Sequence, residues 1–208
     1  MKKVSILDYG MGNIASLKNA IEKVGFEVDL LSNVKSINSN ILIIPGVGAY
    51  NAAMEKIKRK NYDKIITNFL KNKDNCLFGI CLGMQILLTL GEENKLTHGL
   101  DLIKGRVSKF ETKKNIKLPN VGTSKIHIKN SGKFNFLRKY DNEKFYFIHS
   151  YIAKPSDSKN ILATSKYEDI SFNSIISNNL NVLGTQFHPE KSSKIGLDFL
   201  QDIIKNLN

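Results

Sequence analysis

The chain reads as an α/β protein, with a mostly parallel sheet covered by helices on both faces and antiparallel strands added in its C-terminal half. Three observations predict this. Apolar, strand-like runs alternate with amphipathic helical stretches over the first ninety residues, the pattern of βαβ units. Three of those runs end in glycine-bearing turns, at Tyr9–Asn13, Pro45–Gly48 and Gly79–Gly83. From Val107 onward the helical period gives way to short strands joined by polar turns, until one closing helix.

In order, Val4–Asp8 is a short apolar strand. A helix follows from Ile14 to Val24, because Leu17, Ala20, Ile21 and Val24 share a stripe and Gly25 stops it. Glu27–Leu31 and Ile41–Ile44 are strands, and residues 51–72 are mostly helical, with Met54, Ile57, Ile65, Phe69 and Leu70 as apolar positions. Cys76–Ile80 is a strand and Gln85–Leu90 is expected to be a helix. Val107–Phe110, Ile126–Ile128, Lys144–Ile148, Ile161–Ser165, Ser174–Ser177 and Val182–Phe187 complete the strands. Asn178-Asn179 marks a hairpin tip, and Ile195–Leu207 is the closing helix. No linker, repeat or low-complexity tract interrupts residues 1–208, so a single domain is expected.

Composition narrows the classes. Hydrophobic residues make up 41% and charged ones 24%, ordinary for a soluble globular protein. No apolar run reaches the roughly 18 residues of a membrane span, and the N-terminus turns acidic at Asp8, too early for a signal peptide. Two cysteines five positions apart do not staple a chain of this length, so reduced thiols and a cytoplasmic location are expected. The net charge of +12 raises nucleic acid as a partner. Only Arg59, Arg106 and Arg138 could supply the guanidinium forks that phosphate readers favour, and the lysines are scattered. A solvated lysine surface is the reading adopted, with no nucleic-acid or membrane partner. His98 and His127 have no company that suggests zinc, so neither metal nor cofactor is expected.

The chemistry lies in two segments. In Leu77-Phe78-Gly79-Ile80-Cys81-Leu82-Gly83-Met84-Gln85, an apolar strand ends in Gly-x-Cys-x-Gly and runs straight into a helix-favouring stretch. That arrangement places a nucleophile on a sharp strand-to-helix turn, with the helix N-terminus directed at the sulfur. The flanking glycines leave room where the backbone bends. Cys76 lies in the same strand without the turn and reads as core. More than a hundred residues later comes Gln186-Phe187-His188-Pro189-Glu190; in extended chain, His188 and Glu190 share one face. Pro189 makes poor sheet and two polar groups there would need partners, so a site explains the segment better than a buried strand does. Cys81, His188 and Glu190 are then nucleophile, base and orienter. An oxyanion would be received by the N–H of Leu82 and by Val47 or Gly48 of the Pro-Gly-Val-Gly loop.

Five motifs in this order carry a resemblance: Asp8-Tyr9-Gly10-Met11-Gly12-Asn13, Pro45-Gly46-Val47-Gly48-Ala49, Gly79 to Gln85, Tyr146-Phe147-Ile148-His149-Ser150-Tyr151, and Gln186 to Ser192. Together they resemble the glutaminase subunits of imidazole glycerol phosphate synthase, class I (triad-type) glutamine amidotransferases of histidine biosynthesis with a flavodoxin-like sheet. The resemblance implies that Cys81 attacks the side-chain amide of glutamine to form a glutamyl thioester, with His188 oriented by Glu190. It places Gly48, Gln85, Ser150 and Tyr151 around the glutamine, and Glu93 by its spacing from Cys81. It implies a heterodimer with a (β/α)8-barrel cyclase subunit that takes up the ammonia, with Asn13, Tyr146 and Lys191 at the contact. The family usually reads Pro-His-x-Gly-Trp-Asn where this chain has Pro119-Asn120-Val121-Gly122-Thr123-Ser124, on the side facing the cyclase. That departure leaves open a paralogous glutaminase supplying ammonia for acetamidino groups on surface sugars. A catalytically silent scaffold is the third reading, opposed by the intact Cys81, His188 and Glu190.

Overall fold

The structure, a computed structural model, describes residues 3–111 and 116–207. The N-terminal half runs β1 (Lys3–Leu7), α1 (Ile14–Lys23), β2 (Glu27–Leu31), β3 (Ile41–Ile44), α2 (Tyr50–Arg59), α3 (Tyr62–Phe69) and β4 (Cys76–Ile80). One helical turn, α4 (Leu82–Gln85), leads into β5 (Leu88–Gly91), β6 (Thr97–His98) and β7 (Ile103–Lys109). The rest comprises β8 (Asn120–Ile128), β9 (Lys144–His149), β10 (Tyr151–Pro155), β11 (Ile161–Tyr167), β12 (Ile170–Ser177), β13 (Val182–Thr185) and α5 (Ser193–Asn206), with short 3-10 turns between.

Nine strands form one sheet in the order β2-β1-β3-β4-β13-β12-β11-β8-β9. From β2 to β13 all neighbours are parallel, and from β13 to β9 all are antiparallel. Side chains alternate between two cores, as the strand period of two requires. Val4, Ile6, Ile41, Ile43, Cys76 and Phe78 face α1 and α5, while Leu7, Leu42, Ile44 and Leu77 face α2 and α3. Helices on both faces are what buries a parallel sheet on both sides. A second sheet, ordered β10-β7-β5-β6, contributes Leu88, Val107 and Ala153 to the α2/α3 core. Among the described residues no helix is long and apolar enough to cross a membrane.

Three expectations change. The helix expected over Gln85–Leu90 is instead the single turn α4, and residues 88–91 are β5. Ile86, Leu87 and Leu88 are wholly buried, and a short, uniformly apolar run carries no period that separates strand from helix. The expected helix over residues 51–72 is broken at Asn61, whose φ of 54° ends one helix and starts the next. Of the second sheet only β7 has a counterpart in the sequence reading, because β5, β6 and β10 are short and β6 has two residues.

Candidate active site

All the parallel strands of the large sheet end at one edge, and the loops leaving β1, β3, β4 and β13 gather there, as the position of ligand sites in open α/β sheets requires. Cys81 follows β4 with φ 55° and ψ −108°, a backbone state outside the left-handed well that asparagines tolerate. Its N–H is tied to Thr185 O on the neighbouring β13 at 2.7 Å, and its C=O accepts from Gln85 N at 3.1 Å. The flanking glycines are required by packing. A Cβ on Gly83 would lie 1.8 Å from Ile44 O, and one on Gly79 would lie 2.5 Å from Gly83 O. Because α4 is one turn long, little macrodipole reaches the sulfur, and the electrostatics come from elsewhere.

They come from the end of β13. His188 Nδ1 donates to Glu190 Oε1 at 2.7 Å, with both side chains almost wholly buried. The backbone of His188 is pinned to β9: its N–H donates to Tyr146 O at 2.9 Å, and its C=O accepts from Ser192 Oγ at 2.6 Å. Burial alone would lower the imidazole's pKa. The negative charges of Cys81 and Glu190, with their hydrogen bonds, outweigh burial and raise His188 to about 10, so it carries a proton at neutral pH. Its Nε2 is buried and has no hydrogen-bond partner among the described residues, and neither has Glu190 Oε2. A nucleophile–base bond that is long or misaligned without substrate is usual.

Cys81 opens into a cavity of about 360 Å³. Val47 and Gly48 line it from the loop after β3, Leu82 and Gln85 from α4, and Glu93 from the turn after β5. Ile148, His149, Ser150 and Tyr151 close it from β9 and the start of β10. Glu93 Oε2 also accepts from Tyr50 N at 2.7 Å, which places its carboxylate at the start of α2. Gly48 has φ 113°, a backbone state that L side chains rarely adopt, so the loop needs glycine there; the Met11 Cε that a Cβ would meet at 2.7 Å is the movable end of a flexible side chain. Tyr9 Oη donates to Pro45 O at 2.8 Å and secures the loop's first residue; burial raises the Tyr9 phenol far above its usual range, so it stays a donor.

The three residues expected at a partner contact lie outside the cavity. Lys191 Nζ sits 5.8 Å from the ring centre of Tyr146. Asn13 is the N-cap of α1, its Oδ1 accepting from Ser16 N at 3.2 Å. Thr123 and Ser124 pair with Tyr146 and Phe145 across β8 and β9, at the edge of the sheet. Cys76 lies in the α1/α5 core, and neither cysteine is disulfide-bonded.

Two buried polar residues in the site had no assigned part in the sequence reading: His149 and Gln186. Both stand inside quoted motifs, and the signal was a polar side chain on an inward position. His149 follows Phe145 and Phe147 on the buried face of β9 and packs against Phe110 and Phe172. Burial, with the nearby charge of His188 acting the same way, lowers its pKa to about 4 despite a hydrogen bond to Tyr151 O, so it is neutral. Gln186 is wholly buried directly after β13.

Comparison with known proteins agrees with this geometry. The family described as Glutamine amidotransferase class-I matches residues 5–206. The chain is 38% identical over 205 residues to imidazole glycerol phosphate synthase subunit HisH 2 of Methanococcus maripaludis, covering 97% of this chain and 98% of that one. It is 36% identical over 201 residues to the chloroplastic imidazole glycerol phosphate synthase hisHF of Arabidopsis thaliana, covering 95% of this chain and 33% of that one. The solved structure of PurLQS from Thermotoga maritima matches with a TM-score of 0.75 at 17% identity, covering 99% of this chain and 97% of that one, a likeness of fold. The chain belongs to the class-I glutamine amidotransferases and, within them, to the HisH subunits of imidazole glycerol phosphate synthase.

Proposed function

We propose that this chain, as one glutaminase domain, hydrolyses glutamine and hands the ammonia to the cyclase subunit of an imidazole glycerol phosphate synthase. The observation that carries the reading is Cys81, on its strained turn at the mouth of the cavity, near enough to a buried His188 to help hold it protonated, with that imidazole oriented by Glu190. The Cys81 sulfur attacks the side-chain amide carbon of glutamine. The charge that grows on the amide oxygen is received by the N–H of Leu82 and by that of Val47 or Gly48. His188 gives its Nε2 proton to the leaving nitrogen, ammonia departs and a glutamyl thioester remains. Neutral His188 then takes a proton from water as that water attacks the thioester. Collapse expels the sulfur as thiolate and releases glutamate, with His188 protonated again. Glu190 keeps the Nδ1 proton in place throughout. Gly48, Gln85, Glu93, Ser150 and Tyr151 surround the glutamine, with the Glu93 carboxylate suited to its α-ammonium. A reducing cytoplasm suits a mechanism that needs the Cys81 thiol.

Asn13, Tyr146 and Lys191 form the contact with a (β/α)8-barrel partner in this reading. The hisHF relative, of which this chain covers 33%, fits a partner carried on the same polypeptide. Thr123 and Ser124, on β8 and paired with Tyr146 and Phe145 of the edge strand β9, leave open a second acceptor, the enzyme of a sugar-amidination pathway. The test is glutamate release by the purified chain alone and with each partner, together with complementation of a histidine auxotroph. Growth of the auxotroph, and a 10²–10³-fold rise in glutaminase turnover with the cyclase, about one oxyanion donor's worth, is the expected result. Failure to complement, with stimulation only by the sugar enzyme, selects the second acceptor. In this reading the partner turns the Val47–Gly48 peptide to present its oxyanion donor, and full activity of the chain alone overturns that gating.

A further inference from the structure

We propose that Gln186 is a positioning residue of the glutaminase centre, whose amide N–H supports the negative charge of the Cys81 sulfur while its carbonyl oxygen fixes Gln85. The proposal rests on the reading of Cys81 as nucleophile and adds a group to that machinery. Gln186 Nε2 lies 3.6 Å from Cys81 Sγ, within hydrogen-bond range for sulfur, and Gln186 Oε1 accepts from Gln85 Nε2 at 3.1 Å. The same Gln85 nitrogen donates to Tyr151 O at 3.0 Å, so both of its protons are committed. Tyr151 O is also approached by His149 Nδ1 at 2.9 Å, and His149 Nε2 by Asn120 Nδ2 at 3.2 Å.

These contacts have a single consistent direction. The neutral His149 places its proton on Nδ1 to serve Tyr151 O, and its Nε2 accepts from Asn120. Tyr151 O is therefore an acceptor only, which turns Gln85 Nε2 toward it and toward Gln186. Gln186 must then present oxygen to Gln85 and nitrogen to the sulfur. The reversed amide would set two NH₂ groups against each other and an oxygen against the sulfur, where it could support no thiolate. Gln186 is fully buried, so no water can take over either role, and its own backbone is held to Ser174 O at 2.9 Å. The sulfur has partners for both of its states: Ile148 O lies 3.7 Å away for the S–H, and Gln186 N–H serves the thiolate.

Two variants separate charge support from packing. Gln186→Met keeps volume and loses both bonds. Gln186→Glu keeps an oxygen for Gln85 and sets a carboxylate oxygen against the sulfur. The first readout is the pH profile of Cys81 alkylation by iodoacetamide, followed by mass spectrometry in the full chain without partner or glutamine. The second is the split between kcat and KM for glutaminase in the complex. In both variants the alkylation profile moves to higher pH, further for Gln186→Glu, and kcat falls about 10–100-fold, the effect of one hydrogen bond to a charged group. KM rises with Gln186→Met and holds with Gln186→Glu, because Gln85 keeps its acceptor only in the second. An unchanged alkylation profile in either folded variant overturns the proposal. Where Gln186→Met melts far below the native chain, the near-isosteric Gln186→Glu decides. The alkylation profile needs no acceptor enzyme, so a native complex without glutaminase activity would sink the functional reading and leave the Gln186 test to its own outcome.

Discussion

The two halves of the large sheet build one site by different means. The parallel half, β2 to β13, supplies it with turns: the loop after β3 and the sharp turn after β4 bring Val47, Gly48, Cys81 and Leu82 to one cavity. The antiparallel half, β12 to β9, supplies it with supports and a wall: the backbone carbonyls of Ser174 and Tyr146 hold the main chain of Gln186 and His188, and Asn120 and His149 add buried polar side chains. Cys81 and His188 stand on the parallel side of the seam, at the ends of adjacent strands β4 and β13, and β13 is the strand that borders the antiparallel half. A turn is specified by the residues within it; a wall is specified only by what packs against it. Loss of a group in the parallel half should therefore be all-or-none, whereas loss in the antiparallel half should be graded and dependent on conditions.

The largest effect tests the parallel half. Cys81→Ala should reduce glutamine-dependent turnover on the order of 10⁴-fold or more, measured as glutamate release in the complex. Its melting temperature should fall only slightly, as for truncation of one small buried side chain, and turnover with external ammonium salts should survive. A Cys81→Ala chain that kept glutamine turnover would remove the nucleophile from the parallel half altogether. Gly83→Ala should come next. A Cβ placed 1.8 Å from Ile44 O forces strand β3 and turn α4 apart, at a cost of about 3 kcal/mol or more in a denaturant titration. A neutral result there would mean that the elbow tolerates displacement.

The antiparallel half responds to pH. Folded His149, with a pKa of about 4, binds fewer protons than the unfolded chain between that value and about 6.5. Its contribution is therefore fully present above pH about 6.5 and is lost as pH falls toward 4, amounting to about 3 kcal/mol at the lower end. His188 has the opposite sign: with a folded pKa of about 10, its contribution is fully present below pH about 6.5 and is lost as pH rises through 10. Urea midpoints at pH 7 and pH 4.5 should fall less between the two in His149→Gln than in the native chain. Equal acid losses in both chains would refute the burial of a neutral His149. The smallest effect is at Cys76, at the far end of β4 from the catalytic turn. Cys76→Ala should cost about 1–2 kcal/mol in thermal or urea unfolding and leave glutaminase turnover as it was. A glutamine-analogue electrophile should label Cys81 and spare Cys76, and an adduct on Cys76 would reverse the contrast between the two ends of one strand.

Legibility divides along the same seam. The βαβ order, the loops at Tyr9–Asn13 and Pro45–Gly48 and the turn at Cys81 could be read directly, because alternation and glycine placement are local signals. The pairing of His188 with Glu190 is present at 2.7 Å, but not on the extended chain expected to make it: the strand expected over Val182–Phe187 ends at Thr185, and Pro189–Lys191 is a 3-10 turn that brings the carboxylate back to the imidazole. Of the second sheet only β7 was readable, as the strand expected over Val107–Phe110: β5 has four residues and directly follows the apolar pair Ile86-Leu87, β6 has two residues, and β7 and β10 meet from segments more than forty residues apart.

The sequence by itself determined the family, the nucleophile's turn and the order of the motifs, since each depends on backbone states and residue types within a few positions. Only the tertiary structure decided the charge of the two buried histidines, because the same imidazole is raised to about 10 beside Cys81 and Glu190 and lowered to about 4 among Phe110 and Phe172. It alone also decided that Gln186, 105 residues from Cys81, turns its amide nitrogen to the sulfur. A hydrogen-bond direction is set by every partner along its chain, and here those partners come from α4, β8, β9, β10 and the end of β13.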